Sequence, residues 1–502
     1  MLPRSVVRWA DGYARSVVSE LAMTSDVLPS SGPHVSQSLH GQAASWMAIA
    51  VIVVLALVLR LVAASGDLWL DEIWSVELVG RLTSVDQVFW RINHDNNHFL
   101  NSVWLYLTGP DVSPLVHRAL SIAIGTATVP VAMTVVADRG RAAQLVAGLL
   151  FAVSYPLVHY GSEARGYAGL VLFTLLSIGC LQRRLDNRGS ALALAATILL
   201  GFLSHLTMLA SVAMLVVWSA WLLLMQGRGP LRAGGGTVWI FLPAFLAVLP
   251  LALCIAIAAK TFGFTIGGSS PFSWQDFVAG YGGMIRYLFG LPSSITGLPL
   301  IVAAFAFVCL SAWKWPSRRT SLYLIGIVGL PILVAQVQLP NLEFPRYFLA
   351  SGTLLLLCIA EVLGRGFDAG GWRRWTAVAG FAAILFGSGA SLSRFYEAGR
   401  GSYASIVEQV TRDGSAGYTS NKEFRTPKVV SFFAARQRRQ TRLVEAADWC
   451  AEAPEWLILE IGSEPPKPVE MAPGCQLVYE RVEVTKSWGL SGLSWALYQK
   501  HG

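Results

Sequence analysis

The sequence predicts an all-α polytopic membrane protein with a small α/β domain at its C-terminal end. Three observations carry that reading. The 502 residues are 54% hydrophobic and only 14% charged, whereas soluble proteins carry about 25% charged residues. Long uncharged stretches recur between residues 46 and 392, the mark of repeated membrane crossings. The basic residues gather in the short links between those stretches. The net charge of +8, from 38 basic and 30 acidic residues, therefore reads as topology control and not as a nucleic-acid footprint.

Residues 1–45 lack the apolar core of about 7–15 residues that a signal peptide needs. Val6, Trp9, Tyr13, Val17 and Leu21 recur at helical spacing beside Arg4, Arg8 and Arg15. The segment reads either as a cytoplasmic tail or as an interfacial helix. Residues 24–44, rich in Ser, Gly and His, read as a linker.

Eleven spans follow within a transmembrane domain of residues 46–393. The first is Trp46–Ala64, interrupted by Arg60. After a polar stretch, residues 66–111, come Ala119–Ala137, Ala142–Leu157 and Gly166–Gln182. Residues 189–227 contain no Asp, Glu, Lys or Arg. As one helix they would extend about 58 Å against a hydrocarbon core of about 30 Å, so they form two spans that turn near Ser204-His205. The remaining spans are Thr237–Ala259, Leu298–Trp313, Ser321–Leu339, Tyr347–Leu363 and Thr376–Leu392.

The linking charges orient these spans. Alternate links carry Asp138-Arg139-Gly140-Arg141, Arg183-Arg184 with Arg188, Arg228 with Arg232, Lys314 with Arg318-Arg319, and Arg365 with Arg373-Arg374. Short basic links read as cytoplasmic, which puts the N-terminus inside and residues 394–502 outside. The outer side is different in kind. In the first outer loop, Phe99, Leu100, Val103, Trp104 and Leu107 form the apolar stripe of an interfacial helix, and Ile73, Trp74, Leu78, Val79 and Leu82 a weaker one. Residues 260–290 form a second outer loop, rich in Gly and aromatics.

In residues 394–502, Ser405–Val410 and Val429–Ala435 read as helices, and Trp456–Ile461, Leu477–Val484 and Leu493–Tyr498 as strands. Of six cysteines, Cys180, Cys254, Cys309 and Cys358 lie in apolar segments as small hydrophobes. Cys450 and Cys475 lie in the outer domain, either as a disulfide or as two thiols. No CxxC motif or Cys/His cluster points to structural zinc.

The residues able to do chemistry accumulate at outer span ends and on outer loops. A charge at bilayer depth costs around 3 kcal/mol, so ionisable groups there read first as functional. Asp71 and Glu72 are adjacent in Trp69-Leu70-Asp71-Glu72. On a helix they would point about 100° apart and could not share one proton, so one would enter a cavity while the other supports it. Asp71 could instead open the helix as its N-cap. His94-Asp95-Asn96-Asn97-His98 reads three ways: a metal face on one helix turn, hydrogen-bonding groups for a substrate, or a solvated turn. Arg118 opens the second span. In Glu163-Ala164-Arg165-Gly166-Tyr167, Arg165 suits phosphate, because its fork donates two parallel hydrogen bonds, and Glu163 would orient it. The bland alternative is a snorkelling boundary arginine. Glu343-Phe344-Pro345-Arg346-Tyr347 repeats the arrangement, with Pro345 starting a helix. His159 and His205 lie at the same level; alone, His205 reads as a structural histidine in a tight turn.

Together these stretches resemble the GT-C membrane glycosyltransferases, in particular the protein O-mannosyltransferase and lipid A aminoarabinose transferase group. Leu68-Trp69-Leu70-Asp71-Glu72 is similar to the acidic motif of their first outer loop, and Asn93–Leu107 to the stretch that follows it. Val116–Ala137 has their Arg-hydrophobic opening of the second span. His159–Tyr167 is similar to their Tyr-x-x-Glu-x-Arg-x-Tyr segment, and Pro345-Arg346-Tyr347 to a later Arg-Tyr motif. Asn97-His98 stands where the family usually carries Pro-Pro or His-Pro.

The resemblance implies transfer of a sugar from a polyprenyl-phosphate donor to a glycan, lipid or protein acceptor at the outer face of a bacterial cytoplasmic membrane, with inversion at the anomeric carbon. By position, Asp71 would be the general base and Glu72 would orient it or the acceptor. Arg165 and Arg346, with Tyr167 and Tyr347, would hold the donor phosphate. His94, Asp95, His98, Arg118, Glu163, His205 and Glu343 would bind substrate. No cofactor is expected; the acidic pair alone makes a poor Mg²⁺ cage. The partners are the lipid-linked donor, the acceptor and the bilayer, with no nucleic acid. A polyprenyl-linked glycan flippase or transporter and a polysaccharide ligase are the competing classes. The ionisable groups cluster at one face rather than at the midplane, which disfavours a transporter, and the early acidic pair favours the transferase over the ligase.

Overall fold

The computed structural model describes residues 39–265, 270–336, 342–412, 416–462, 465–471 and 474–501. Residues 1–38 of the expected tail and 337–339 of one expected span lie outside them. The chain forms two compact units. One comprises the chain up to residue 60 with 86–101 and 121–390, the other 61–85, 102–120 and 391–502.

The helices run in chain order as α1 (Leu39–Ala63), α2 (Leu70–Gly80), α3 (Phe99–Thr108), α4 (Pro114–Val135), α5 (Arg141–Val153), α6 (Tyr155–Tyr160), α7 (Tyr167–Leu185), α8 (Ala191–Ser204), α9 (Met208–Met225) and α10 (Pro230–Phe262). There follow α11 (Trp274–Phe289), α12 (Gly297–Lys314), α13 (Arg318–Tyr323), α14 (Leu330–Gln336), α15 (Leu349–Ala369), α16 (Gly371–Ala398) and α17 (Tyr403–Val410). The π-helical turn Leu324–Gly329 joins α13 to α14. Pro331 lacks the N–H an unbroken α-helix would use there, and a wider turn absorbs the mismatch.

Among the described residues, nine helices are long and apolar enough to cross a membrane. The other two expected spans, 142–157 and the first part of 189–227, are the shorter apolar helices α5 and α8. At 1.5 Å per residue each reaches only about 20 Å. Their ends have physical causes. The ring of Pro156 would clash with the carbonyl of residue 152 if α5 continued, and Ser154 leaves the helical region with ψ 119°. The carbonyls released there are taken by Arg60, whose guanidinium donates to Phe151 O at 3.2 Å and Ala152 O at 3.4 Å. The charge that interrupts the first span in sequence is thus a buried cap on another helix. α8 ends where His205 becomes extended.

The links read as cytoplasmic are braced by ion pairs, of which Arg319–Glu361 is buried. Arg319 donates to Glu361 Oε1 and Asp138 Oδ1, both at 2.6 Å, and to Val135 O at 2.8 Å. Tyr323 shares the same Glu361 oxygen at 2.6 Å, and Arg318 reaches Asp186 at 2.5 Å.

The second unit carries the small α/β domain. Its strands β1 (Ala416–Ser420), β2 (Thr441–Leu443), β3 (Trp456–Glu460), β4 (Val469–Met471), β5 (Val478–Thr485) and β6 (Trp495–Lys500) form one sheet in the order β2-β1-β3-β6-β5-β4. β1 pairs in parallel with β2 and β3; the other pairings are antiparallel. Leu457, Tyr479, Ala496 and Tyr498 pack a buried cluster on this sheet. The helix α18 (Arg425–Arg436) buries Val429, Val430, Phe432 and Phe433, and the one-turn α19 (Trp449–Glu452) follows β2. Cys450 and Cys475 are joined in a disulfide. β3, β5 and β6 are the three expected strands; β1, β2 and β4 are added. The unit also includes α2 from the first outer loop, so its sequence extends beyond 394–502.

Candidate active site

Two clusters contain the residues singled out in the sequence, one in each unit.

In the second unit, α2 opens at Trp69, which occupies the cap position. Asp71 is therefore not the N-cap; it lies inside the first turn. Glu72 reaches back to accept from the Trp69 N–H at 3.2 Å. Its two oxygens also take the fork of Arg118, Nε to Oε1 at 2.8 Å and Nη2 to Oε2 at 2.6 Å. Both side chains have 0% exposure. The remaining Arg118 donors go to Ala64 O at 2.8 Å, Gly66 O at 3.0 Å and Asp67 O at 2.7 Å. A guanidinium has five N–H donors, and all five are engaged inside the protein. The expectation that Arg118 binds substrate is corrected accordingly: this arginine ties the end of α1 and the loop after it to α2. Glu72 is equally sealed, with both carboxylate oxygens held by Arg118, so a direct catalytic role for it does not fit this geometry. Asp71 is half-buried, and its backbone carbonyl accepts from the Ser75 hydroxyl at 2.9 Å. The carboxylate of Asp67, not singled out in the sequence, accepts from the backbone N–H groups of Tyr403 and Ala404, both at 2.8 Å. An acceptor at that position satisfies the orphan donors that begin α17.

In the first unit, the His94–His98 stretch is a turn. Asp95 adopts φ +52°, its N–H donates to Thr265 O at 3.0 Å, and Thr265 N–H returns to Asn93 O at 3.0 Å. His94 and Asp95 form a half-exposed pair at 2.9 Å. His94 and His98 do not share a helix face, so the metal-face reading fails on geometry. His98 is buried and its Nδ1 lies 2.6 Å from the Asn97 side-chain oxygen.

Residues 161–170 are buried throughout. Two side chains not foreseen hold this loop. Asn101 donates to Ala164 O at 2.5 Å, and Ser121 donates to Arg165 O at 2.9 Å. Their signal in the sequence is slight: a polar residue on an otherwise apolar helix. Gly166 permits a very close approach, since a Cβ there would fall 1.7 Å from Ser204 O and 2.8 Å from the His98 Cβ. The Arg165 guanidinium lies 5.3 Å from the Tyr167 ring centre. The Tyr167 ring stacks on His205 at 4.6 Å and meets Tyr160, another unforeseen neighbour, at 4.8 Å. His205 is buried, with Nδ1 2.8 Å from the Thr207 hydroxyl. Glu163 and His159 are fully buried; the Tyr155 hydroxyl lies 3.3 Å from His159 Nδ1. Pro345 starts the one-turn 3₁₀ helix Pro345–Phe348, as expected. It presents half-buried Arg346 and Tyr347, with the guanidinium 5.8 Å from the Tyr347 ring centre; Glu343 is half-buried in the turn before it.

The electrostatics bind these residues into one site. Burial, then the charges of Arg165 and Arg346, push His205 from 6.5 down to about 3. Burial, then Arg165 and His205, hold His98 well below the usual histidine range. Both imidazoles are neutral at neutral pH. Two guanidinium charges act on one buried ring, with Glu163 the carboxylate of the same loop. The two guanidinium forks offer paired N–H donors, which suits an anion with at least two acceptor oxygens.

No family model and no curated protein sequence matches the chain. Among solved structures, the crystal structure of ArnT from Cupriavidus metallidurans in the apo state matches over 91% of this chain and 98% of that one, with a TM-score of 0.52 at 13% identity. The chain shares the fold of ArnT. The GT-C architecture expected from the sequence, a polytopic helical domain with a small C-terminal α/β domain, is the one observed. At this identity the relationship is one of architecture; the residues above rest on their own geometry.

Proposed function

We propose that the protein is an inverting glycosyltransferase that moves a sugar from a polyprenyl-phosphate donor to a cell-envelope acceptor at the outer face of the membrane. The observation that carries the reading is the pair of guanidinium groups, Arg165 and Arg346, that act together on buried His205 on the fold of a lipid A aminoarabinose transferase. Arg165 and Arg346 take the donor phosphate and, with Tyr167 and Tyr347 beside them, neutralise charge as the glycosidic C–O bond breaks and polyprenyl phosphate leaves with the electron pair. Neutral His98 and His205 add hydrogen bonds without repelling either arginine. The acceptor hydroxyl attacks the anomeric carbon from the opposite side, and Asp71 takes its proton. Glu72 and Arg118 hold the helix that carries Asp71. The Cys450–Cys475 bond supports an oxidising, extracytoplasmic setting for the C-terminal domain, in agreement with the basic links.

The test is release of polyprenyl phosphate from a labelled polyprenyl-phosphate sugar by purified protein in lipid. Release that depends on Arg165 and Arg346 is the expected result. Passage of the intact donor across the membrane without release would make the protein a transporter.

A further inference from the structure

α2 has two faces. Leu70, Glu72, Ile73, Val76 and Val79 are buried. Asp71, Trp74, Ser75 and Leu78, at i, i+3, i+4 and i+7, form a half-buried stripe on the other face. The Trp74 ring in this stripe meets Phe424, with ring centres 5.3 Å apart and planes at 55°. Phe424 immediately precedes α18 and remains 59% exposed.

The segment that carries this exposed ring is anchored on both sides. Asn421 clamps the loop before it, donating to Glu460 O at 3.0 Å and accepting from Glu460 N–H at 2.9 Å. Arg425 pairs with the Glu460 carboxylate at 3.0 Å. Lys428 pairs with Glu77 and so ties α18 to α2. The residues on both sides of the ring are thus anchored while the ring itself, in contact with Trp74, stays largely exposed, an arrangement that lowers the ordering cost of binding a ligand. Its immediate neighbours, Lys422, Glu423 and Arg425, are exposed and ionisable.

We propose that Trp74 and Phe424 form a saccharide-stacking platform and that the acceptor is a glycan. An aromatic face carries negative charge density and attracts the polarised C–H bonds on one face of a pyranose, while the ionisable rim offers partners for its hydroxyls. A lipid chain would gain nothing from that rim. Trp74 lies one helical turn from Asp71, a Cβ separation of about 5–6 Å, so a sugar ring on the platform presents a hydroxyl to the candidate base. That the bound glycan is the acceptor rests on the transferase reading; that the platform binds saccharide does not.

The experiment uses the full chain in lipid nanodiscs and a panel of short mannose, glucose, galactose and arabinose oligosaccharides, followed by saturation-transfer NMR and calorimetry. At least one probe saturates the wild type, Phe424→Ala weakens it about tenfold or more, and Phe424→Tyr, which keeps the ring, retains it. Trp74→Phe also retains it and controls for folding of α2. Equal affinity in wild type and Phe424→Ala, or no saturable probe, overturns the platform. Phe424-dependent binding of a Ser/Thr-rich peptide in place of every sugar overturns the glycan assignment in favour of a protein acceptor. Phe424-dependent sugar binding with no release of polyprenyl phosphate by the wild type leaves the platform standing and removes the transferase reading.

Discussion

Arg118 grips Glu72 through both carboxylate oxygens, at 2.8 and 2.6 Å, in a setting sealed from solvent. Removing one member of such a pair leaves a buried charge without its counter-charge, at a cost of about 3–5 kcal/mol. Glu72→Gln and Arg118→Met are each expected to lower the thermal unfolding midpoint in detergent sharply. Arg118→Lys should not rescue, because an ammonium has three donors where this site uses five. A Glu72→Gln protein with wild-type stability would show that the pair is not holding the helix.

Asp71→Asn is expected to behave oppositely. Asp71 is half-buried, and Asn keeps its shape while removing the charge, so the unfolding midpoint should move far less than in Glu72→Gln. Transfer should fall by about 10²–10⁴-fold, the usual contribution of a general base. Turnover assays beside unfolding curves separate the two carboxylates: one variant unfolds early, the other folds and does not transfer.

Gly166→Ala should damage the donor site through the backbone. The added methyl would meet the Ser204 carbonyl at 1.7 Å, and neither chain segment can yield as a flexible side chain would. The strain should cost about 1–3 kcal/mol or more and displace the adjoining Arg165. Weaker binding of a polyprenyl-phosphate donor, greater than that of a nearby apolar-to-Ala control, is the readout.

Stability should decline on acidification through the histidine range. His205 titrates near 6.5 when unfolded and at about 3 when folded; His98 shifts in the same direction. Between those values the unfolded chain binds a proton that the folded site refuses, so stability rises with pH in this window. The full contribution is present above about pH 6.5 and is lost progressively toward pH 3. Unfolding midpoints measured from pH 7 to pH 4 should fall in wild type and fall less steeply in His205→Gln.

Reduction should weaken the outer domain. Cys450 and Cys475 are 25 residues apart, and closing a loop of that length stabilises by about 3.5 kcal/mol in the chain-entropy account. Cys450→Ser with Cys475→Ser should lower the domain's unfolding midpoint in a wild-type-sized background, and dithiothreitol should reproduce the shift in wild type alone.

The features legible in the sequence were those with a local cause. The spans follow from runs without charge, and Pro345 starts its helix because its φ and missing N–H suit that position. The strands around Trp456, Val478 and Trp495 carry enough apolar or β-branched residues to be seen. β2 and β4 span only three residues, too few to show a period, and β1, with the sequence Ala-Gly-Tyr-Thr-Ser, lacks the apolar content that marks β3 at the same length. What stayed hidden depends on partners distant along the chain. Arg118 looked available for substrate because Glu72 lies 46 residues earlier. Arg60 looked like a flaw in a span because the carbonyls it caps are about 90 residues away. Asp71 looked like a cap because nothing local reveals that Trp69 already fills that place.

The Asp67 carboxylate receives its two backbone donors from Tyr403 and Ala404, more than 330 residues downstream. A ribosome must therefore deliver just over four-fifths of these 502 residues before the loop ahead of Asp71 acquires its anchor. Translation thereby carries a built-in delay: a product cut off before Tyr403 lacks the tether at Asp67, which arrives only with the start of α17.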